Sequence, residues 1–151
     1  MLKMFAQYRG LPRDLYILAC ARAIVSAGAF IMPLLTLILT QKMGLSSAHA
    51  GILVTVSSMS YIPGSLLGGK LADKIGRKKI ILAAQTLTGT SWIICGFFPE
   101  SVYIIPFIIV AYMSMGAIDP TMSALIADIT KPENRKTAYS LSYLGHNLGI
   151  A

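Results

Sequence analysis

Arg22 and Asp119 are ionisable residues set inside long apolar stretches of this 151-residue chain. Charge in such surroundings is expensive, so residues of this kind are functional candidates by default. Arg22 lies seven residues after Leu15, where the first apolar run begins, or ~10 Å along a helix. Asp119 lies eight residues before Ala127, where the fourth run ends, or ~12 Å. The two depths match. Arg22 shares a helical face with Ser26, Pro33 and Thr40, and Asp119 with Tyr112, Met115 and Ser123. The bland alternatives are that Arg22 snorkels to lipid headgroups and that Asp119 caps a helix broken at Pro120.

A second constellation is Gly69-Lys70-Leu71-Ala72-Asp73-Lys74-Ile75-Gly76-Arg77-Lys78-Lys79. Gly69 lets the end of a helix lie against a neighbour, and Gly76 permits a backbone turn that other residues resist. Asp73 is an anion suited to the donors and positive dipole end of a helix N-terminus. Lys70, Lys78 and Lys79 read as plain solvated charge. A third cluster follows the fourth apolar run: Asp128, Pro132, Glu133 and Arg135, then Ala138, Asn147 and Gly149. His49 sits beside Ser47, a candidate helix N-cap, and His146 reads as a packing residue. No nucleophile–base pair, metal-ligand spacing or phosphate loop occurs, so neither enzyme chemistry nor a cofactor is expected.

The elements that must position these groups follow from composition. Hydrophobic types make up 55% of the chain and charged types 13%, with a net charge of +7. A soluble domain carries roughly 25% charged residues, so this chain lacks the polar surface to face water on all sides. The basic balance does not argue for nucleic acid, which requires a basic face on a soluble body. Apolar runs cover Leu15–Thr40, Ala48–Gly69, Lys79–Phe98 and Val102–Ala127, and a fifth begins at Thr137 and reaches Ala151. About 20 apolar residues cross a bilayer, so the reading is an all-α integral membrane bundle of four complete helices and an incomplete fifth. The first run is too long for the apolar region of a signal peptide. Cys20 and Cys95 fall towards opposite faces of the bilayer and read as apolar fillers rather than a disulfide.

Charge asymmetry orients the bundle. Lys3, Arg9 and Arg13 precede the first run; Lys70, Lys74, Arg77, Lys78 and Lys79 follow the second; Lys131, Arg135 and Lys136 follow the fourth. Those eleven face Lys42 alone in the opposite loops, which predicts a cytoplasmic N-terminus. Ser60, Gly64 and Gly68 form a small-residue ridge at four-residue spacing, and Gly145 and Gly149 repeat it. Pro33, Pro63, Pro106 and Pro120 can each kink or loosen a helix.

The Gly69–Lys79 segment resembles the signature loop of the major facilitator superfamily, Gly-x-x-x-Asp-Arg/Lys-x-Gly-Arg-Arg/Lys, at every position. The cluster from Asp128 through Gly149 resembles the family's second cytoplasmic loop and the start of its fifth helix. The resemblance covers the whole chain but only the first third of a twelve-helix member. It implies a plasma-membrane secondary transporter that moves a small solute by alternating access, with proton-coupled efflux the subclass it most resembles. It also implies that Asp73 touches a helix N-terminus in the other half, and that Arg77 pairs with nearby acids, Asp128 first. Helices one and four line the family's central cavity, so the resemblance implies that Arg22 and Asp119 face one another there as a guanidinium–carboxylate pair that lines the transport path or takes part in coupling. The expected partners are the lipid bilayer, an unidentified solute, protons and a missing C-terminal half. The alternatives are a truncated membrane fragment that does not transport, and a membrane anchor. A small dimeric four-helix multidrug carrier needs a first-helix carboxylate, and Leu15–Thr40 has none.

Overall fold

The computed structural model describes residues 8, 10–28 and 30–151. Among them every regular element is helical: α1 Arg13–Ala27, α2 Ile31–Gln41, α3 Ser47–Met59, α4 Tyr61–Ile75, α5 Arg77–Phe97, α6 Ile104–Ile129 and α7 Arg135–Ile150, with a 3₁₀ turn at Pro132–Asn134 before α7. Four helical stretches are long and apolar enough to cross a membrane: Arg13–Gln41 and Ser47–Ile75, each of 29 residues, α5 of 21 and α6 of 26. Their outer faces expose Ile24, Ile52, Leu66, Ile93 and Phe97. So much bare apolar surface suits lipid and not water. The chain is a multi-pass membrane protein.

The first two spans are each divided by a short interruption. α1 closes at Gly28, whose N–H donates to the Val25 carbonyl at 3.1 Å, and Pro33 stands two residues past the start of α2. Ser60 separates α3 from α4, and Pro63 has no N–H to give the Met59 carbonyl four residues back. Pro120, by contrast, lies inside α6 without breaking it. Asp119 therefore does not cap a broken helix.

The helices also run further than the apolar runs. α4 continues past Gly69 to Ile75, and α5 starts at Arg77. The expected connecting loop shrinks to Gly76, whose φ of 107° only glycine adopts without strain. Polar side chains end a hydropathy run, but they leave the i to i−4 backbone bonds intact, and the helix continues. Ser46, not Ser47, is the N-cap of α3: its Oγ accepts from the His49 N–H at 3.3 Å and lies 2.7 Å from His49 Nδ1.

The chain forms two compact units, one from the segment up to Ile31 with Ser123–Ala151 and the other from Met32–Met122. In the first, α1 and α7 pack through small residues. A Cβ added to Gly145 would collide with the Ala19 carbonyl, and one on Gly149 with the Ala23 carbonyl. Ala138 and Ser142 continue that buried stripe on α7. In the second, Leu35, Leu39, Ala50, Ile104, Ile108 and Tyr112 form a buried cluster. The Trp92 ring meets Tyr112 edge-on with centroids 6.3 Å apart.

Candidate functional site

Asp73 and Arg77 flank the Gly76 turn. Asp73 stands in the last turn of α4 and Arg77 opens α5, and Arg77 Nη2 lies 3.6 Å from Asp73 Oδ1. The pair is open to water, with Asp73 71% exposed and Arg77 25%, so its worth is at most about 1 kcal/mol. Arg77, Lys78 and Lys79 form the first turn of α5, which holds no acid. Three cations at the positive end of a helix dipole oppose that helix. Their placement is therefore not explained by helix stability, and Asp73 offsets part of the repulsion.

Gly69 does not make the close approach expected of it. A Cβ there would meet nothing within 4 Å. The tight contacts lie one face over, where Cβ atoms on Gly64 and Gly68 would collide with Met113 and Ala117 of α6. Ser60 extends the row by donating from Oγ to the Ile109 carbonyl at 3.0 Å. Ser60–Ile109, Gly64–Met113 and Gly68–Ala117 keep one constant offset in residue number, so α4 and this part of α6 run parallel. That orientation is the one required of two membrane spans separated by a single intervening span. The Ser60–Gly64–Gly68 ridge read from spacing is thus a real helix-packing surface.

Within this second unit, Tyr61 Oη donates to Asp119 Oδ2 at 2.9 Å. Tyr61 is the middle residue of the Ser47–Ile75 span. Asp119 lies ten residues before the end of α6, or ~15 Å along the helix, so the contact lies far from the ends of both membrane spans. Tyr61 escaped the sequence reading. The structure brings the two helices together there: a Cβ at Gly116, one turn before Asp119, would collide with the Tyr61 carbonyl.

In the first unit, Arg22 is half-buried on α1, one turn before Ser26. Ser26 Oγ lies 2.6 Å from His146 Nδ1 of α7, a polar link between two otherwise small-residue faces. Asp128 is exposed near the end of α6, and Pro132 and Glu133 form the exposed 3₁₀ turn after it. Arg135 donates from Nη2 to the Ala127 carbonyl at 3.5 Å, covering a helix C-terminus as a cation should. Tyr139 Oη donates to the Ser123 carbonyl at 2.9 Å, tying α7 to the same stretch of α6. Asn147 is exposed, and Gly149 lies against α1. Cys20 and Cys95 are free thiols, and the described residues hold no cluster of three or more metal-ligating side chains.

The chain is similar in sequence to several known transporters. The chain is 32% identical over 143 residues to the uncharacterized MFS-type transporter YttB of Bacillus subtilis strain 168, covering 93% of this chain and 36% of that one. It is 31% identical to the 3-(3-hydroxy-phenyl)propionate transporter of Escherichia coli K12, over 75% of this chain and 28% of that one. It is 26% identical to the multidrug resistance protein MdtH of Edwardsiella ictaluri, over 89% of this chain and 34% of that one. The chain thus spans about a third of the length of these relatives. No solved structure matches it. The family profile of the Major Facilitator Superfamily matches residues 17–151, and with the helical spans and the acid–glycine–arginine turn already described, the chain belongs to that superfamily.

Proposed function

We propose that this chain forms the first part of a plasma-membrane secondary transporter that carries a small solute by alternating access, coupled to protons and directed outward. Membership of the superfamily is the observation that carries the reading, and the similarity to MdtH, a protein named for multidrug resistance, supports the outward direction. Transporters of this type bind solute between two halves, so the activity belongs to the chain together with the C-terminal half its relatives possess. The eleven-to-one distribution of basic residues supports a cytoplasmic N-terminus and cytoplasmic turns at Gly76 and Pro132.

In this reading Asp73, Gly76, Arg77 and Asp128, with Gly69, form a conformational lock on the cytoplasmic side. Pro132, Glu133, Arg135, Asn147 and Gly149 shape the second cytoplasmic connection and the start of α7. Arg22 and Asp119 line the transport path. The test uses a transporter of the relatives' length carrying this chain, assayed in inverted vesicles. A proton gradient drives uptake of cationic dyes, and collapsing the gradient abolishes it. Asp119→Arg and Arg22→Asp each abolish uptake, and the double exchange restores it. Failure of the exchange to rescue removes Arg22 and Asp119 from a shared role.

A second reading is uptake of an aromatic acid. The relative named for 3-(3-hydroxy-phenyl)propionate favours it, and a guanidinium within a span, Arg22, suits a carboxylate. Radiolabelled 3-(3-hydroxyphenyl)propionate accumulated by right-side-out vesicles, with no dye movement, selects this reading over efflux.

A further inference from the structure

We infer that Tyr61 is a positioning residue for the Asp119 carboxylate, a role that rests on the reading of Asp119 as part of the transport path. The contact itself is direct, from Tyr61 Oη to Asp119 Oδ2 at 2.9 Å. Its backbone frame is what makes it a positioning device. Gly116 admits the Tyr61 carbonyl where any side chain would collide, and Gly64 and Gly68 do the same for Met113 and Ala117. Ser60 Oγ donates to the Ile109 carbonyl at 3.0 Å. Four contacts along two parallel helices prevent either from rotating about its axis, because rotation would drive a Cβ-bearing residue into the partner's main chain. With both backbones held, the phenol can leave the carboxylate only by changing rotamer.

A carboxylate on a single flexible side chain has no fixed plane. A donor bound to Oδ2 sets that plane and so sets the direction in which the group is offered to an ion or solute. The contact lies near the middle of its span, on an exposed face. The other ionisable side chains that α4 and α5 contribute to this unit begin at Lys70, nine residues further along α4, or ~13 Å. On α6, Tyr112 is turned to Trp92. Arg22 belongs to the other unit, and its variants are included in the test.

The test reads the contact and its consequence separately. The chain is labelled with carboxyl-¹³C aspartate and placed in lipid nanodiscs, and the Asp119 infrared band is identified as the one lost in Asp119→Asn. Tyr61→Phe shifts that band, in the native and in the Arg22→Gln background, whereas Tyr103→Phe, at an exposed position, leaves it in place. Should Tyr61→Phe fail to fold, 3-fluorotyrosine at position 61 keeps the shape, strengthens the donor and shifts the band in the opposite sense. In the transporter of full relative length, Tyr61→Phe lowers the maximal rate per folded molecule about three- to tenfold with KM unchanged. An unmoved band overturns the inference. So does a moved band with an unchanged rate in a transporter that Asp119→Asn inactivates. If instead Asp119→Asn transports normally, the transport-path reading fails, and the band shift still reports the Tyr61 contact on its own.

Discussion

Gly64 of α4 lies so close to the main chain of Met113 on α6 that no side chain fits between them. Gly68 has the same relationship to Ala117 one turn later. Gly64→Val and Gly68→Val therefore force the helices apart, and each is expected to destabilise the protein by about 1–3 kcal/mol. Gly69→Ala, which enters open space, changes stability by less than about 0.5 kcal/mol. Denaturant titration in detergent micelles, followed by helical circular dichroism, distinguishes the three.

Gly76 carries a φ of 107° and a ψ of 132° between α4 and α5. A side chain there is strained whatever the space, so Gly76→Ala is expected to cost about 1–3 kcal/mol. The same denaturation measurement checks it, and an unchanged midpoint removes the requirement for glycine at this turn.

Ser26 and His146 link α1 to α7 through a 2.6 Å contact. Polar contacts between membrane helices average about 0.6 kcal/mol and reach about 1.7 kcal/mol. A double-mutant cycle with Ser26→Ala and His146→Phe is expected to give a coupling energy in that range. Strict additivity of the two single effects removes the hydrogen bond as a contributor to the interface.

The orientation predicted by the basic residues is checked with single cysteines in a Cys20→Ser, Cys95→Ser background. Lys74→Cys reacts with an impermeant thiol reagent only in inverted vesicles, and Lys42→Cys only in intact cells. The reverse pattern overturns the assignment.

Apolar run length was enough to read the number and order of the spans, because a bilayer imposes one length scale on every crossing segment. Spacing by four also revealed the Ser60–Gly64–Gly68 and Gly145–Gly149 ridges, since that period returns residues to one helical face. Boundaries were less legible. Lys70, Asp73 and Lys74 end the apolar run, yet α4 continues through them to Ile75. Which of two adjacent glycines meets the neighbour was not legible at all: Gly68 touches α6 and Gly69 does not, and the choice depends on how the helix is rotated. Tyr61 was missed for the same reason, since its partnership with Asp119 is a product of where α4 and α6 cross.

The brevity of the Gly76 elbow has its own consequence. With one residue between Ile75 and Arg77, their α-carbons can never be more than about 7 Å apart. The lower end of α4 and the upper end of α5 in chain order thus share a single swivel, and a tilt imposed on either rod is delivered to the other without slack. Lengthening that elbow by a few residues would leave every charge in place while disconnecting the two levers.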